Sequence, residues 1–170
     1  VVIGPVMTKA HTKASPIFLR EIVFGNKVMN FPSTYVDVRD VAASHVNALE
    51  KLPELNDRRY ILVNDARCLS KGAMDMAEIA RGLFPEEAIS VQPMYPEWAM
   101  SIARPLSKLP FVGGMIMSEA ERLAQMTDME FSNERARREL GVDFRGIEET
   151  IKEGIESMVG LGFAKFKSKV

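Results

Sequence analysis

The stretch Tyr35-Val-Asp-Val-Arg-Asp-Val-Ala-Ala-Ser-His45 decides the predicted fold, because an extended segment runs directly into a helix start. The β-branched residues at its beginning favour extended backbone. Asp37 stands where an N-cap is expected, and Asp40 would face the same helix end as a variant of the capping box. Apolar residues then recur at helical spacing, which predicts a helix packed along that face. The residues of this face are Val41, Ala42, Val46 and Leu49, and His45 lies among them as a structural histidine.

Predicted strands and helices alternate on both sides of this stretch. Val1 to Ile3 and Arg59 to Val63 are predicted to be buried strands. Ser15-Pro16 predicts a helix start, with Ser15 as the N-cap and proline at the first helical position. Further helices are predicted after Ser70, after Ser132 and over 147–158, and prolines break a helical pattern over 95–126. This alternation predicts an α/β fold with a parallel sheet.

The bulk composition excludes several classes of function. The chain has 170 residues, with 22 Lys and Arg against 23 Asp and Glu, so charge gives no case for binding nucleic acid or an anionic membrane. No segment has the roughly 20 apolar residues needed to cross a bilayer. The single cysteine, Cys68, cannot form an internal disulfide, which favours a reducing compartment, and we expect a cytoplasmic protein.

The sequence also argues against several kinds of site. His11 and His45 lie far apart with no ligand at metal spacing, so no metal site is predicted. Neither a Gly-x-Ser-x-Gly elbow nor a glycine-rich phosphate loop is present. The charged cluster of Asp37, Arg39 and Asp40 could be functional, but helix capping and a structural ion pair explain it better. The basic run 135–138 is flanked by glutamates and is predicted to be a solvated helix face.

Four motifs in register resemble one family. They are similar to motifs of the extended short-chain dehydrogenases/reductases, the NAD-dependent epimerase/dehydratase superfamily. The motifs are Val-Val-Ile-Gly-Pro at 1–5, the stretch 35–45, Arg-Tyr-Ile-Leu at 59–62, and Phe-Ser-Asn-Glu-Arg-Ala-Arg-Arg-Glu-Leu-Gly at 131–141. The dihydroflavonol-4-reductase-like branch fits best. The resemblance implies the carboxy-terminal part of a doubly wound Rossmann-type parallel sheet plus a mostly helical substrate-binding subdomain. Residues 1–14 and 34–66 would belong to the Rossmann core, and 15–33 and 67–170 mainly to the subdomain.

The resemblance implies that the catalytic residues lie elsewhere. The family's dinucleotide turn, catalytic Ser and Tyr-x-x-x-Lys pair precede the first of these motifs. The residues that follow Tyr35, Tyr60 and Tyr95 four positions later are Arg39, Asn64 and Ala99, so none supplies the pair. We therefore expect no catalytic residue in this chain and no turnover by it alone. Because the chain opens within a predicted strand, without Met or a basic flank, we expect it to be part of a longer protein.

The implied site combines a cofactor and a small molecule. NADP, or NAD, would be shared with a complementary amino-terminal half, and NADP is favoured by the reductase resemblance alone. The implied cofactor-binding residues are Val1, Val2 and Ser15, and the implied substrate-binding residues are Pro5, Met7, Ile17 and Tyr95. The substrate would be a moderately apolar small molecule bearing a carbonyl or hydroxyl, selected by segments 6–14 and 95–117. A homo-oligomer is possible. The alternative is a non-catalytic subunit or binding module with the same fold.

Overall fold

The structure, a computed structural model, is an α/β fold built on a short parallel sheet. It describes residues 1–28, 30, 33–55, 57–64, 72–89, 91–94, 98 and 130–167. Strand β1 (Val2–Ile3) pairs in parallel with strand β2 (Val36–Asp37), and the register places Val2 beside Val36 and Ile3 beside Asp37. The predicted strand at the start of the chain is therefore confirmed and lies in a parallel sheet, but its partner is β2 and not the second predicted strand at 59–63.

The helices follow the predicted order. They are α1 (Ile17–Val23), α2 (Val38–Glu50), α3 (Ala73–Leu83) and α4 (Ile147–Gly160), together with a 3-10 turn His11–Lys13 and a π-helical turn Ala136–Leu140. The π-helical turn ends at Gly141, which adopts the left-handed conformation with φ 67°, as expected for a glycine after a helix. The predicted cap Ser70 and all of 95–126 except Trp98 lie outside the described residues. Among the described residues, no helix is long and apolar enough to span a membrane.

The main core lies where α1, α3 and α4 meet. Apolar residues at helical spacing on each helix are fully buried, including Leu19, Ile22, Met76, Ile151 and Ile155 at 0% exposure. Burying each such side chain stabilises the fold by roughly 1.5–3 kcal/mol. A second cluster packs β2 against the π-helical turn and the segment after it, with Val36, Ala136, Leu140, Val142 and Phe144 buried.

The start of α1 differs from the prediction. Ser15 is not its N-cap, since the helix begins at Ile17 after Pro16 and no side chain caps it. The Ile17 amide donates to the Ala14 carbonyl at 2.9 Å and the Phe18 amide donates to the Ser15 carbonyl at 3.3 Å. A backbone turn therefore satisfies these first amides and leaves none for the Ser15 hydroxyl.

Helix α2 confirms one predicted cap and corrects the rest. The Asp37 carboxylate accepts the Arg39 amide at 2.8 Å, as predicted for the N-cap. The Asp40 carboxylate does not face this helix end, because it accepts the Arg145 amide at 2.8 Å. The predicted packed face is wrong for most of its residues, because Val46 and Leu49 are 52% and 70% exposed and His45 is exposed as well. Val41 alone of that face packs against the second core cluster. Hydrogen-bonding partners elsewhere in the described part of the chain bind the polar side of α2, and this side is therefore buried.

The predicted strand 59–63 is not assigned as a strand. Directly after it, the Asn64 amide donates to the Tyr35 carbonyl at 2.9 Å, next to β2. The Tyr60 hydroxyl instead donates to Glu139 at 2.9 Å, and Ile61 is 50% exposed. Hydrogen bonds from side chains, and not a ladder of backbone hydrogen bonds, therefore fix the position of this segment. An isolated parallel bridge joins Val28 to Pro93.

Helix α4 passes unusually close to the end of β1. A Cβ atom on Gly154 would lie 2.6 Å from Leu19 Cδ1 and 3.2 Å from the Gly4 carbonyl oxygen. The Val6 amide donates to Ser157 Oγ at 2.9 Å, and that hydroxyl donates to the Gly154 carbonyl at 2.8 Å. The carboxy-terminal helix therefore fixes the loop that follows the first strand.

We predict that Gly154→Ala destabilises the fold by roughly 1–3 kcal/mol, because the new methyl group would displace both Leu19 and the Gly4 backbone. Gly160→Ala in the same helix is the matched control, since nothing lies within 4 Å of its added Cβ. That substitution is expected to stabilise by up to about 1 kcal/mol through helix propensity. Urea unfolding of both variants measures the difference. Equal stability of the two variants would contradict the close approach of α4 to Gly4.

Candidate functional site

A cavity of about 240 Å³ lies at the carboxyl end of β1. It is enclosed by β1, the loop after it, the residues before α1 and the first residue of α2. The lining residues are Val2, Ile3, Gly4, Pro5, Val6, His11, Ala14, Ser15, Pro16 and Val38. In open α/β sheets, ligands bind at this end of the strands.

Gly4 allows the chain to change direction after β1, where it forms part of the cavity wall. Its φ of 135° is a conformation that residues with a side chain rarely adopt. A Cβ atom here would lie 3.1 Å from Val38 Cγ1 and 3.2 Å from Asp37 Oδ1. Only glycine therefore lets β1 end so close to the start of α2.

Two polar side chains interrupt the mainly apolar walls. The His11 ring accepts the Met7 amide at Nδ1 over 3.4 Å, which leaves Nε2 as the proton-bearing nitrogen of the neutral ring. The Ser15 hydroxyl has no hydrogen-bond partner within the described part of the chain. The arrangement can hold a flat apolar group and donate to a polar atom at its edge. The described residues contain no group of three His, Cys, Asp or Glu side chains suited to a metal ion.

The structure brings together some of the residues predicted to form the site. Val2, Pro5 and Ser15 all line the cavity. Val1 lies beside them at 40% exposure, and its amino group donates to the Thr34 carbonyl at 2.7 Å.

Other predicted residues lie elsewhere. Met7 is 82% exposed and does not line the cavity. Ile17 begins α1 and is partly buried outside the lining, and Tyr95 is not among the described residues. Sequence reasoning singled out neither His11 nor Val38 as a lining residue, although His11 lies in the segment 6–14 that was predicted to select the substrate. A polar loop directly after a strand was the available signal for His11, whereas Val38 could be found only once β1 and β2 were paired.

The charged cluster behind the cavity is structural, as predicted. Asp37 is completely buried, and its two oxygens accept Arg39 Nε at 2.9 Å and Arg39 Nη2 at 2.7 Å. Thr150 of α4 donates to the same carboxylate at 2.9 Å. Arg39 also binds Glu153 of α4. The cluster therefore joins β2, α2 and α4.

Two opposing effects set the pKa of Asp37. Burial alone would raise it, but hydrogen bonds from the Arg39 side chain and amide and from Thr150, with the positive charge of Arg39, hold this pKa below its ordinary value. The Asp37 carboxylate in turn raises the pKa of the Arg39 guanidinium. Both groups are therefore charged in the folded protein at neutral pH.

Comparison with known proteins identifies a fold but no family. No protein-family model and no curated protein matches the chain. Among solved structures, the chain is similar to yeast methylglyoxal/isovaleraldehyde reductase Gre2 complexed with NADPH, with a TM-score of 0.60 and 20% identity. It is also similar to Gre2 in complex with NADPH from Candida albicans, with a TM-score of 0.60 and 18% identity, and to gox2253, with a TM-score of 0.62 and 21% identity.

The coverage of these matches is unequal. They include 95%, 94% and 97% of this chain but only 44%, 41% and 48% of the respective solved chains. The chain thus spans less than half the length of the structures it matches. The likeness shows that this chain shares the fold of part of these solved proteins.

We predict that stability decreases in acid partly through Asp37. Its folded pKa is below its unfolded value of about 3.9, so its contribution is present above that value and is lost as the pH falls through the folded pKa. Asp37→Asn should cost roughly 1–3 kcal/mol at pH 7 and flatten stability against pH below about 5. Asp143→Asn is the control, because the Asp143 side chain is 99% exposed and its ion pair is worth little. Urea unfolding between pH 3 and 7 tests this, and parallel profiles of wild type and Asp37→Asn would contradict it.

Proposed function

We propose that this chain provides the substrate-binding part, and one wall of the cofactor site, of an NAD(P)-dependent reductase. The enzyme would be an extended short-chain dehydrogenase/reductase of the dihydroflavonol-4-reductase-like branch. Its substrate would be a moderately apolar small molecule with a carbonyl or hydroxyl group. The fold likeness to reductases solved with NADPH supports the reaction class. The resemblance of the sequence motifs supports the branch.

The cavity at the carboxyl end of β1 is the observation that carries the proposal. Val2, Pro5 and Ser15 were each assigned to a ligand from the sequence, and all three line this cavity. Its volume of about 240 Å³ is below the roughly 300–1,000 Å³ of complete small-molecule pockets. We infer that the residues lining this cavity form one wall of a larger site.

The residues present fit one side of a nicotinamide cofactor. The mainly apolar walls of the cavity suit a flat ring. The Ser15 hydroxyl is available to a ribose or phosphate oxygen. The cofactor would supply the hydride. This chain would orient the nicotinamide ring, exclude water from it and place the substrate beside Pro5.

The remaining parts of the enzyme would come from a complementary amino-terminal half. That half would carry the dinucleotide turn and the Tyr-x-x-x-Lys pair and would complete a doubly wound sheet. Residues 1–14 and 34–66 would join its Rossmann core, while 15–33 and 67–170 would form the substrate-binding subdomain. The unequal coverage of the solved structures, of which this chain spans less than half, supports this division. The absence of a Tyr-x-x-x-Lys pair from these 170 residues leaves the non-catalytic binding module as the second candidate.

We predict that the natural polypeptide containing these residues binds NADPH and that Ser15→Ala weakens binding about 2- to 10-fold, the value of one hydrogen bond. Ser132→Ala is the matched control, because it removes an exposed hydroxyl that lines a different cleft. Titration of nicotinamide fluorescence measures both affinities, and NADPH oxidation with carbonyl substrates measures turnover.

The outcomes separate the candidates. Binding with turnover supports the reductase, and binding without turnover supports the binding module. A polypeptide that binds no dinucleotide, or a Ser15→Ala variant that binds as tightly as wild type, would contradict the proposed site. Turnover by the isolated 170-residue chain would contradict the assignment of catalysis to another segment.

A further inference from the structure

A second cleft, of about 380 Å³, lies between the segment 59–61 and the helical turn that follows Ser132. Its described lining residues are Arg59, Ile61, Ser132, Glu134, Arg135 and Arg138, and we call it the arginine cleft. It shares none of these residues with the cavity at the carboxyl end of β1. Three guanidinium groups against one carboxylate give the arginine cleft a positive charge.

The two walls of the arginine cleft are joined by side chains. The Asn133 side-chain amide donates to the Val63 carbonyl at 2.6 Å. Arg135 Nη1 lies 3.5 Å from the Arg59 carbonyl oxygen, so this guanidinium reaches across to the opposite wall. Because such contacts fix the walls in the folded chain, a ligand would meet charges that are already in place, which reduces the ordering cost of binding.

Other charged groups nearby already have partners. Arg58 Nη1 lies 2.9 Å from the Glu139 carboxylate, and Arg137 Nη1 lies 2.9 Å from the Asp143 carboxylate. Glu139 also accepts the Tyr60 hydroxyl at 2.9 Å. The hydrogen bond from Arg58, followed by that from Tyr60, lowers the pKa of Glu139 to about 2. This carboxylate is therefore ionised and is held by groups outside the arginine cleft.

The arginines that line the cleft are less engaged. In the part of the chain that the structure describes, no carboxylate forms an ion pair with Arg59 or Arg135. Arg138 lies 3.2 Å from Glu139, but its side chain is 73% exposed, and an exposed pair of this kind contributes little. A cleft lined by one sign of charge raises the local concentration of the opposite ion, so these arginines indicate an anionic ligand.

We propose that the arginine cleft binds the phosphate group of a small phosphate monoester. Guanidinium groups present paired N–H donors that match the oxygens of phosphate. The volume of about 380 Å³ suits a small molecule. Ile61, which is 50% exposed, would contact its carbon skeleton. The described lining residues include no aromatic side chain on which a base could stack, which argues against single-stranded nucleic acid.

Calorimetric titration of the natural polypeptide at low ionic strength tests the site, with inorganic phosphate, glycerol phosphate and succinate as the probes. Arg135→Gln removes a guanidinium that has no carboxylate partner among the described residues. Arg81→Gln is the matched control, because it removes the same charge from an exposed arginine of α3. Urea unfolding of both variants checks that each is folded.

We expect glycerol phosphate to bind more tightly than inorganic phosphate, and both to bind more tightly than succinate. Arg135→Gln should weaken the binding of glycerol phosphate about 10-fold, because a hydrogen bond to a charged group is lost, and Arg81→Gln should weaken it less than about 2-fold. Equal effects of the two substitutions would overturn the proposal, since they would reflect net charge alone. The proposal would also be wrong if no probe bound at millimolar concentration, or if succinate or inorganic phosphate bound as tightly as glycerol phosphate.

NADPH titration of the same polypeptide separates this site from the proposed reductase site, on which it does not depend. Saturating glycerol phosphate and the Arg135→Gln substitution should each leave the NADPH affinity unchanged. Competition between glycerol phosphate and NADPH would contradict the arginine cleft, because the probe would then occupy the dinucleotide site. Binding of glycerol phosphate that is sensitive to Arg135→Gln, by a polypeptide that binds no NADPH, would refute the proposed function and support the arginine cleft.

Discussion

The buried carboxylate of Asp37 is the constraint on which the rest of this structure depends. It lies in strand β2, caps helix α2, pairs with Arg39 and accepts a hydrogen bond from Thr150 of α4. A carboxylate without solvent is costly unless each oxygen has partners, so these elements must converge on it. Its effect on stability should therefore exceed the roughly 1 kcal/mol of a simple N-cap. Asp40, one turn later in α2, is a second buried carboxylate with a distant partner, since it accepts a hydrogen bond from the Arg145 amide just before α4.

The candidate site is built on this cluster. Gly4 ends β1 directly against Asp37 and Val38, and α4 supports the following loop through Gly154 and Ser157. The part of the cavity wall around Gly4 therefore lies directly against the charged network of Asp37. Such support keeps a binding surface in one geometry before the ligand arrives, which reduces the ordering cost of binding.

Several elements governed by local chemistry were predicted from the sequence. The strand at Val2–Ile3, the helix over 147–158 and the cap at Asp37 depend on neighbouring residues, and each was found where expected. The cap predicted at Ser15 was wrong, because a backbone turn precedes α1 there. Properties that depend on distant partners were not predictable. The sequence does not reveal that the Arg145 amide donates a hydrogen bond to Asp40. Nor does it reveal that apolar residues of α2 such as Val46 and Leu49 are exposed. Val2, Pro5 and Ser15, which the family motifs predicted to contact a ligand, line the cavity. The sequence placed His11 only within the segment 6–14, and Val38 could be found only in the folded chain.

The contact between the first loop and the last helix has a consequence for how the protein is made. The Val6 amide and the Ser157 hydroxyl that joins it are 151 residues apart. A ribosome adds roughly 5–20 residues per second, so the loop is synthesised many seconds before the helix that fixes it. Closing so long a stretch of chain is also slow, since contacts of high sequence separation delay folding. During synthesis the nascent site must therefore remain open, and its apolar wall is among the last surfaces to be sheltered from chaperones and proteases.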